Sequence, residues 1–212
     1  MLCGIINEIE AMKITNTSQL REIYGFPSGR SKDKVLKELE THSRNFIGNS
    51  PFVVISTIDS NGNMDASPRG GELGFVKIAN NRELLIPDSK GNNRVDSLSN
   101  IIETGRIGLL FFIPGIDETL RVNGSAILST SEDILNRFNS DPKPPISCIV
   151  VNIEEVFLHC AKAFMRSQLW NNETHINPQD FPSMGQMMKD QLKTTTAAES
   201  REEMIERYSK DL

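Results

Sequence analysis

The residues best suited to chemistry lie between Met64 and Arg121, in the runs MDASPRGGELGFV, LLIPDSKGNNRVDSL and IGLLFFIPGIDETLRVNG. Each run holds or leads to an arginine, Arg69, Arg94 and Arg121, set beside glycines, small hydroxyl residues or amides. Arginine offers a rigid, permanently charged fork of donors that matches a phosphate, and glycine and serine let backbone N–H groups approach the same oxygens. The pattern reads as an anion site. The competing reading pairs Arg69 and Arg94 with Glu72, Asp88 or Asp96 as surface ion pairs, which contribute little.

Other chemistries lack their motifs. There is no Walker A loop, G-x-G-x-x-G, G-x-S-x-G or H-E-x-x-H, and Gly70, Gly71 and Gly74 lie too close together for a dinucleotide fingerprint. Cys3, Cys148 and Cys160 have no spacing that suggests a disulfide framework or a zinc knuckle. Cys148 and Cys160 sit in strand-like runs, where a cysteine behaves as a small core residue. The N-x-S/T matches at Asn16, Asn123 and Asn172 read as chance.

At 212 residues, 38% hydrophobic and 24% charged, the chain is that of one globular domain with extensions. A formal net charge of −5 excludes a broad nucleic-acid or acidic-membrane surface, so the arginines point to a small anionic ligand. No apolar run is long enough to span a membrane, and Glu8 and Glu10 interrupt the apolar start before a signal-peptide core develops. A reduced, cytoplasmic protein is expected.

The elements that must carry these residues follow from periodicity. A short helix is expected over 17–24, and an amphipathic helix from an N-cap at Ser31 to Gly48, with Val35, Leu39, His42 and Phe46 on its apolar face. PFVVISTID and residues 64–68 form a hairpin about DSNGN. GELGFVKI and RELLIPD give two further strands, then SKGNNR a polar loop and VDSLSNIIETG a helix ending at Gly105. RIGLLFFIP reads as a central strand, and ETLRVNGSAILS as a long one with a bulge or bend at Gly124. Thr130 or Ser131 caps a helix to about Phe138, DPKPP is a rigid loop, and ISCIVVNIEEVFLHC is a last long strand. Hairpin-sized links favour an antiparallel barrel over a doubly wound sheet. AKAFMRSQLW, a proline-containing linker and a charged helix near 198–210 complete the chain.

The ordered series SPRGG, LLIPDSKGNNRVDSL, GLLFFIPGIDETLRVNG and CAKAFMRSQLW resembles the pyridoxamine 5'-phosphate oxidase-related FMN-binding split-barrel proteins, in their predicted flavin-nucleotide-binding branch. The likeness spans roughly residues 30–190. It implies a mainly β fold, a six-stranded antiparallel split β-barrel with flanking helices, over residues 31–190, between an N-terminal extension (1–30) and a C-terminal helical tail (191–212). It also implies a homodimer with FMN at the subunit interface. Carried over by position, Ser67, Pro68, Arg69 and Gly70 would line the flavin cleft, Asp88 would belong to the same site, and Asn92, Asn93 and Arg94 would grip the phosphate. In this chain an asparagine stands where the vitamin oxidase has an arginine. Ser67 and Asn93 would complete the phosphate's hydrogen bonds, and Arg121 would take a supporting role. Lys162 and Arg166, four apart, would reach the flavin from the neighbouring subunit; the alternative is an exposed basic helix face. Trp170 either stacks on the ring or buries at the dimer surface.

The implied activity is FMN-dependent oxidation or reduction of an unidentified small substrate. The vitamin oxidase's C-terminal Arg-Leu-His-Asp-Arg type segment has no counterpart here, which separates this chain from pyridoxamine phosphate oxidation. The alternative is a flavin- or haem-binding protein that senses, stores or delivers its ligand without turnover.

Overall fold

In a computed structural model, residues 13–140 and 143–210 are described; Cys3, the apolar start of the chain, and Asp141 and Pro142 of the DPKPP loop lie outside them. The chain divides into a segment ending at Leu36 and a body from Lys37 to Leu212. The first holds α1 (Thr17–Tyr24), capped where the Asn16 side chain accepts the Gln19 N–H and closed by Gly25 at φ 66°, and the single turn α2 (Arg30–Asp33). The expected continuous helix from Ser31 to Gly48 does not form. Helix resumes only at α3 (Thr41–Gly48), because Glu40 builds a capping box: its carboxylate accepts the N–H groups of His42 and Ser43 at 2.8 and 2.7 Å, and Ser43 Oγ accepts the Glu40 N–H. Leu39 is thereby left outside the helix, 2% exposed, with its N–H donating to the Asn81 carbonyl. The restart also turns His42 to solvent; Ser43, Phe46 and Ile47 form the buried face.

Seven antiparallel strands follow: β1 (Phe52–Ile58), β2 (Met64–Gly70), β3 (Lys77–Asn80), β4 (Glu83–Asp88), β5 (Arg106–Phe112), β6 (Thr119–Ser129) and β7 (Ser147–His159). They make one sheet in the order β2-β1-β5-β6-β7-β4-β3, so the barrel has one strand more than the six implied by resemblance. The additional edge is β3, the end of GELGFVKI. The rest of that run is a turn that buries Phe75 and Val76. β5 is interior, and β6 is central. A bulge lies between Asn123 and Gly124, where a Cβ on Gly124 would run into the Asn152 carbonyl oxygen. Only glycine fits that approach.

One face of the sheet carries alternate apolar residues, among them Val53 and Ile55 of β1, Leu84 and Ile86 of β4, and Val122 of β6, all in one core cluster. Strands distant in the sheet share that core, so the sheet curls upon it. No backbone ladder joins β2 to β4 among the described residues, and the barrel is split along that line. The helix α4 (Asp96–Thr104) ends at Gly105, φ 64°, as expected, and covers the ends of β1 and β2. On the outer face, α5 (Glu132–Leu135) and the 3₁₀ turn Asn136–Phe138 lay Phe138 against Leu85 and Cys148 in a second small core.

Beyond β7, α6 (Lys162–Ser167) is pinned by an aromatic series. Phe52 meets Phe112 at 5.7 Å, Phe112 meets Phe164 at 5.8 Å, and Phe164 stacks on Trp170 at 5.6 Å, whose indole N–H donates to the Ile116 carbonyl. Part of the expected linker is a helix, α7 (Met184–Leu192), which packs on α8 (Arg201–Ser209). Among the described residues, no helix is long and apolar enough to cross a membrane.

Candidate functional site

Period-two alternation in β2 sends Asp65, Ser67 and Arg69 to the core side of the sheet, since they pair with Thr57, Ile55 and Val53. The same count places Asp88 on the core side of β4, in line with Leu84 and Ile86. Arg69 Nη2 therefore meets Asp88 Oδ1 across the split at 3.3 Å, with side-chain exposures of 26% and 19%. Arg69 Nη1 donates to the Pro68 carbonyl at 3.0 Å, which leaves the rest of its five donors available.

Beside this pair opens a cleft of about 470 Å³, walled by Arg69, Gly70, Asp88 and the loop from Ser89 to Val95, with Phe75, Leu98 and Ile146 as its apolar side. The loop is shaped locally. Asn92 Oδ1 accepts the Arg94 N–H, and Asn93 takes a left-handed φ of 62°, which asparagine tolerates better than most residues. Arg94 reaches back to Asp96, Nη2 to Oδ2 at 2.8 Å. At 76% and 49% exposure this is a solvent-screened pair. The loop leads into the first turn of α4, which has no side-chain cap at Val95, so no side chain takes up the N–H groups of that turn. Both arginines thus make the ion pairs that the sequence offered as an alternative, yet both also stand on the cleft wall.

Of the residues singled out from sequence, the cleft gathers Arg69, Gly70, Asp88, Asn92, Asn93 and Arg94. Pro68 faces outward beside it. Ser67 commits its single hydroxyl proton to Asp65, at 3.0–3.1 Å from the two carboxylate oxygens. Asp65 also accepts a short hydrogen bond from the buried Ser97 of α4. This Asp65–Ser67–Ser97 group ties the helix to β2 and so anchors the end of the loop that leads from β4 into it. Sequence reading missed it, as it missed Lys90 on the cleft wall. The run of polar residues at alternate positions in MDASPRG was the available signal for an inward polar stripe.

Within one chain Arg121, Lys162 and Arg166 lie away from this cleft; a contact made from a neighbouring subunit is a separate matter. The three line a second pocket, of about 570 Å³, on the outer face of the sheet between β5, β6 and α6. Cys160 is exposed at its rim. Cys148 is buried, which pushes its thiol up to about 12 and leaves it protonated. Among the described residues no cluster of His, Cys, Asp or Glu is arranged to hold a metal ion.

The family described as Pyridoxamine 5'-phosphate oxidase matches residues 39–160, which include the cleft and all seven strands. No curated protein of significant similarity was found. Among solved structures, the chain is similar to HupZ of Group A Streptococcus (16% identity, 57% of this chain and 94% of that one, TM-score 0.48). It is also similar to an FMN-binding protein of Syntrophomonas wolfei (16% identity, 55% and 83%, TM-score 0.44). A third is the FAD binding protein of Mycobacterium smegmatis (12% identity, 58% and 97%, TM-score 0.41).

Proposed function

Since the chain belongs to the pyridoxamine 5'-phosphate oxidase family, we propose that it is a flavoprotein that holds FMN in the cleft at the barrel split, with the flavin phosphate between Arg69 and Arg94. One observation carries the reading: strand-borne Arg69, loop-borne Arg94 and Lys90, and the uncapped first turn of α4 border one cleft. These donors suit a phosphate. The apolar side formed by Phe75, Leu98 and Ile146 suits the less polar remainder of a nucleotide.

In this reading the residues have distinct tasks. Arg69, oriented by Asp88 and the Pro68 carbonyl, supplies the sheltered charge, while exposed Arg94 supplies a screened one. Asn93 turns the loop, and Asp65 with Ser97 holds the helix that presents its N–H groups. FMN, when bound, supplies the hydride and electron chemistry, acting on a small substrate. Two copies pair about the sheet's outer face, where Phe52 and Met64 are 39% and 70% exposed and would be covered. The protein is of the cytoplasm.

The visible spectrum of the purified protein, before and after added FMN, tests the binding. A bound-flavin spectrum is expected, bleached by NADPH or dithionite without air and restored on aeration. If no flavin is bound and none is taken up, the proposal fails; if only dithionite, and no physiological reductant or substrate, bleaches it, binding stands and turnover does not.

A further inference from the structure

Helix α4 meets the β1–β2 hairpin through polar side chains as well as apolar ones. Ser97, Asn100 and Thr104 recur at helical spacing on the face that also carries buried Ile101. Ser97 donates its hydroxyl proton to Asp65 of β2, Asn100 Nδ2 donates to Thr57 Oγ1 of β1 at 3.0 Å, and Thr104 Oγ1 lies 2.8 Å from the Ile58 carbonyl oxygen. At the far end Glu103 accepts from the N–H and the hydroxyl of Ser60, in the hairpin turn, at 3.1 and 2.8 Å. Thr57 and Asp65 stand directly opposite each other in the hairpin register, so one turn of α4 clasps a single cross-strand pair.

Two members of that clasp are almost inaccessible, Ser97 at 3% and Thr57 at 2% exposure. Buried polar groups are costly unless bonded, and apolar side chains of the same shape could fill the same space. What the hydrogen bonds add is direction: an apolar contact lets a helix slide along a strand, whereas a satisfied polar set fixes its height and rotation. Arg94 lies three residues before Ser97, and Arg69 four residues beyond Asp65 on the same face of β2. The clasp therefore joins the strand that bears one arginine of the cleft to the helix whose entry bears the other.

We propose that Ser97 and Asn100, with their partners Asp65 and Thr57, are positioning residues for the phosphate grip. None of the four lines the cleft; together they fix the place of Arg94 relative to Arg69. The inference rests on the flavin reading for its ligand, while the placement of α4 on the hairpin is measured without one.

The test replaces both partners of one tie in the full chain by apolar side chains of similar size, Thr57→Val/Asn100→Leu. The urea midpoint is expected to stay near that of wild type, since neither partner is left unsatisfied. Without ligand, the relative orientation of Met64–Gly70 and Asp96–Thr104, read from amide residual dipolar couplings, is expected to differ from wild type. Flavin fluorescence titration is expected to show FMN affinity lower by about tenfold, the effect of weakening one charge-assisted hydrogen bond, and riboflavin affinity changed by less than about twofold. Ser97→Ala, which cuts the other tie by a single hydroxyl, is the second variant and is expected to give the same split. In an Arg94→Ala background, Thr57→Val/Asn100→Leu is expected to cost no further FMN affinity, because the group it positions is gone. An unchanged orientation in both variants, equal losses for FMN and riboflavin, or full additivity with Arg94→Ala overturns the proposal. If wild type binds no FMN, the flavin reading fails, and the orientation measurement alone decides whether the clasp places the helix that follows Arg94.

Discussion

Arg69 on β2 and Asp88 on β4 are 3.3 Å apart, although four strands separate their own strands in the sheet. Their contact bridges the split in the barrel where the backbone ladder does not, and it sets one wall of the cleft. Two opposing effects meet at Asp88. Its carboxylate orients Arg69, and its charge opposes any phosphate bound nearby.

The two effects separate by substitution. Asp88→Asn keeps an oxygen acceptor for Arg69 and removes a like charge worth about 1 kcal/mol at this range in a watery site. FMN binding is expected to tighten about fivefold, as read by fluorescence titration. Asp88→Ala removes the acceptor as well, and binding is expected to weaken relative to Asp88→Asn. Equal affinities for the two variants would show that Asp88 does not position Arg69.

Gly124 marks a place where the backbone leaves no room. A Cβ there would collide with the Asn152 carbonyl oxygen, so Gly124→Ala must push β6 from β7 at the bulge. Such overpacking costs about 1–3 kcal/mol or more. A lower urea midpoint with an unchanged slope is expected; an unchanged midpoint would show that the bulge yields freely.

Glu40 links stability to pH. Burial raises the pKa of its carboxyl, but the N–H groups of His42 and Ser43 outweigh that and hold it below the usual carboxylate value. A carboxyl with a depressed folded-state pKa adds stability above its unfolded pKa and loses it as pH falls through the folded one. Glu40→Ala is therefore expected to cost about 1 kcal/mol at pH 7, the usual worth of an N-cap, and much less near pH 3. A cost that does not change with pH would assign the effect to packing.

Much of the scaffold was legible because its signals are local. β-branched and apolar runs marked β1, β4, β5 and β7, alternation marked β6, and glycine ended α4 at Gly105. Errors came where a distant partner overrode a local pattern. The spacing of Val35, Leu39, His42 and Phe46 suited one helix, but Leu39 pairs with Asn81 and the Glu40 capping box starts the helix afresh. α7 was hidden because its anchor, the backbone around Glu199, lies beyond the helix it holds. For the site, residue types identified Arg69 and Arg94. Only the curled sheet shows that Asp88 meets Arg69, that Ser67 is bound by Asp65, and that Arg121, Lys162 and Arg166 line one pocket on the outer face of the same chain.

The central claim is that the cleft grips a phosphate, and it is tested most directly by comparing FMN with riboflavin, which lacks one. Dissociation constants are measured by flavin fluorescence for wild type, Arg69→Ala and Arg94→Ala. A charge-assisted hydrogen bond contributes about 1.5–3 kcal/mol, so each variant is expected to lose roughly 10–100-fold in FMN affinity, Arg69→Ala the more, with riboflavin affinity little changed. Equal losses for both ligands, or none for FMN, would contradict the account.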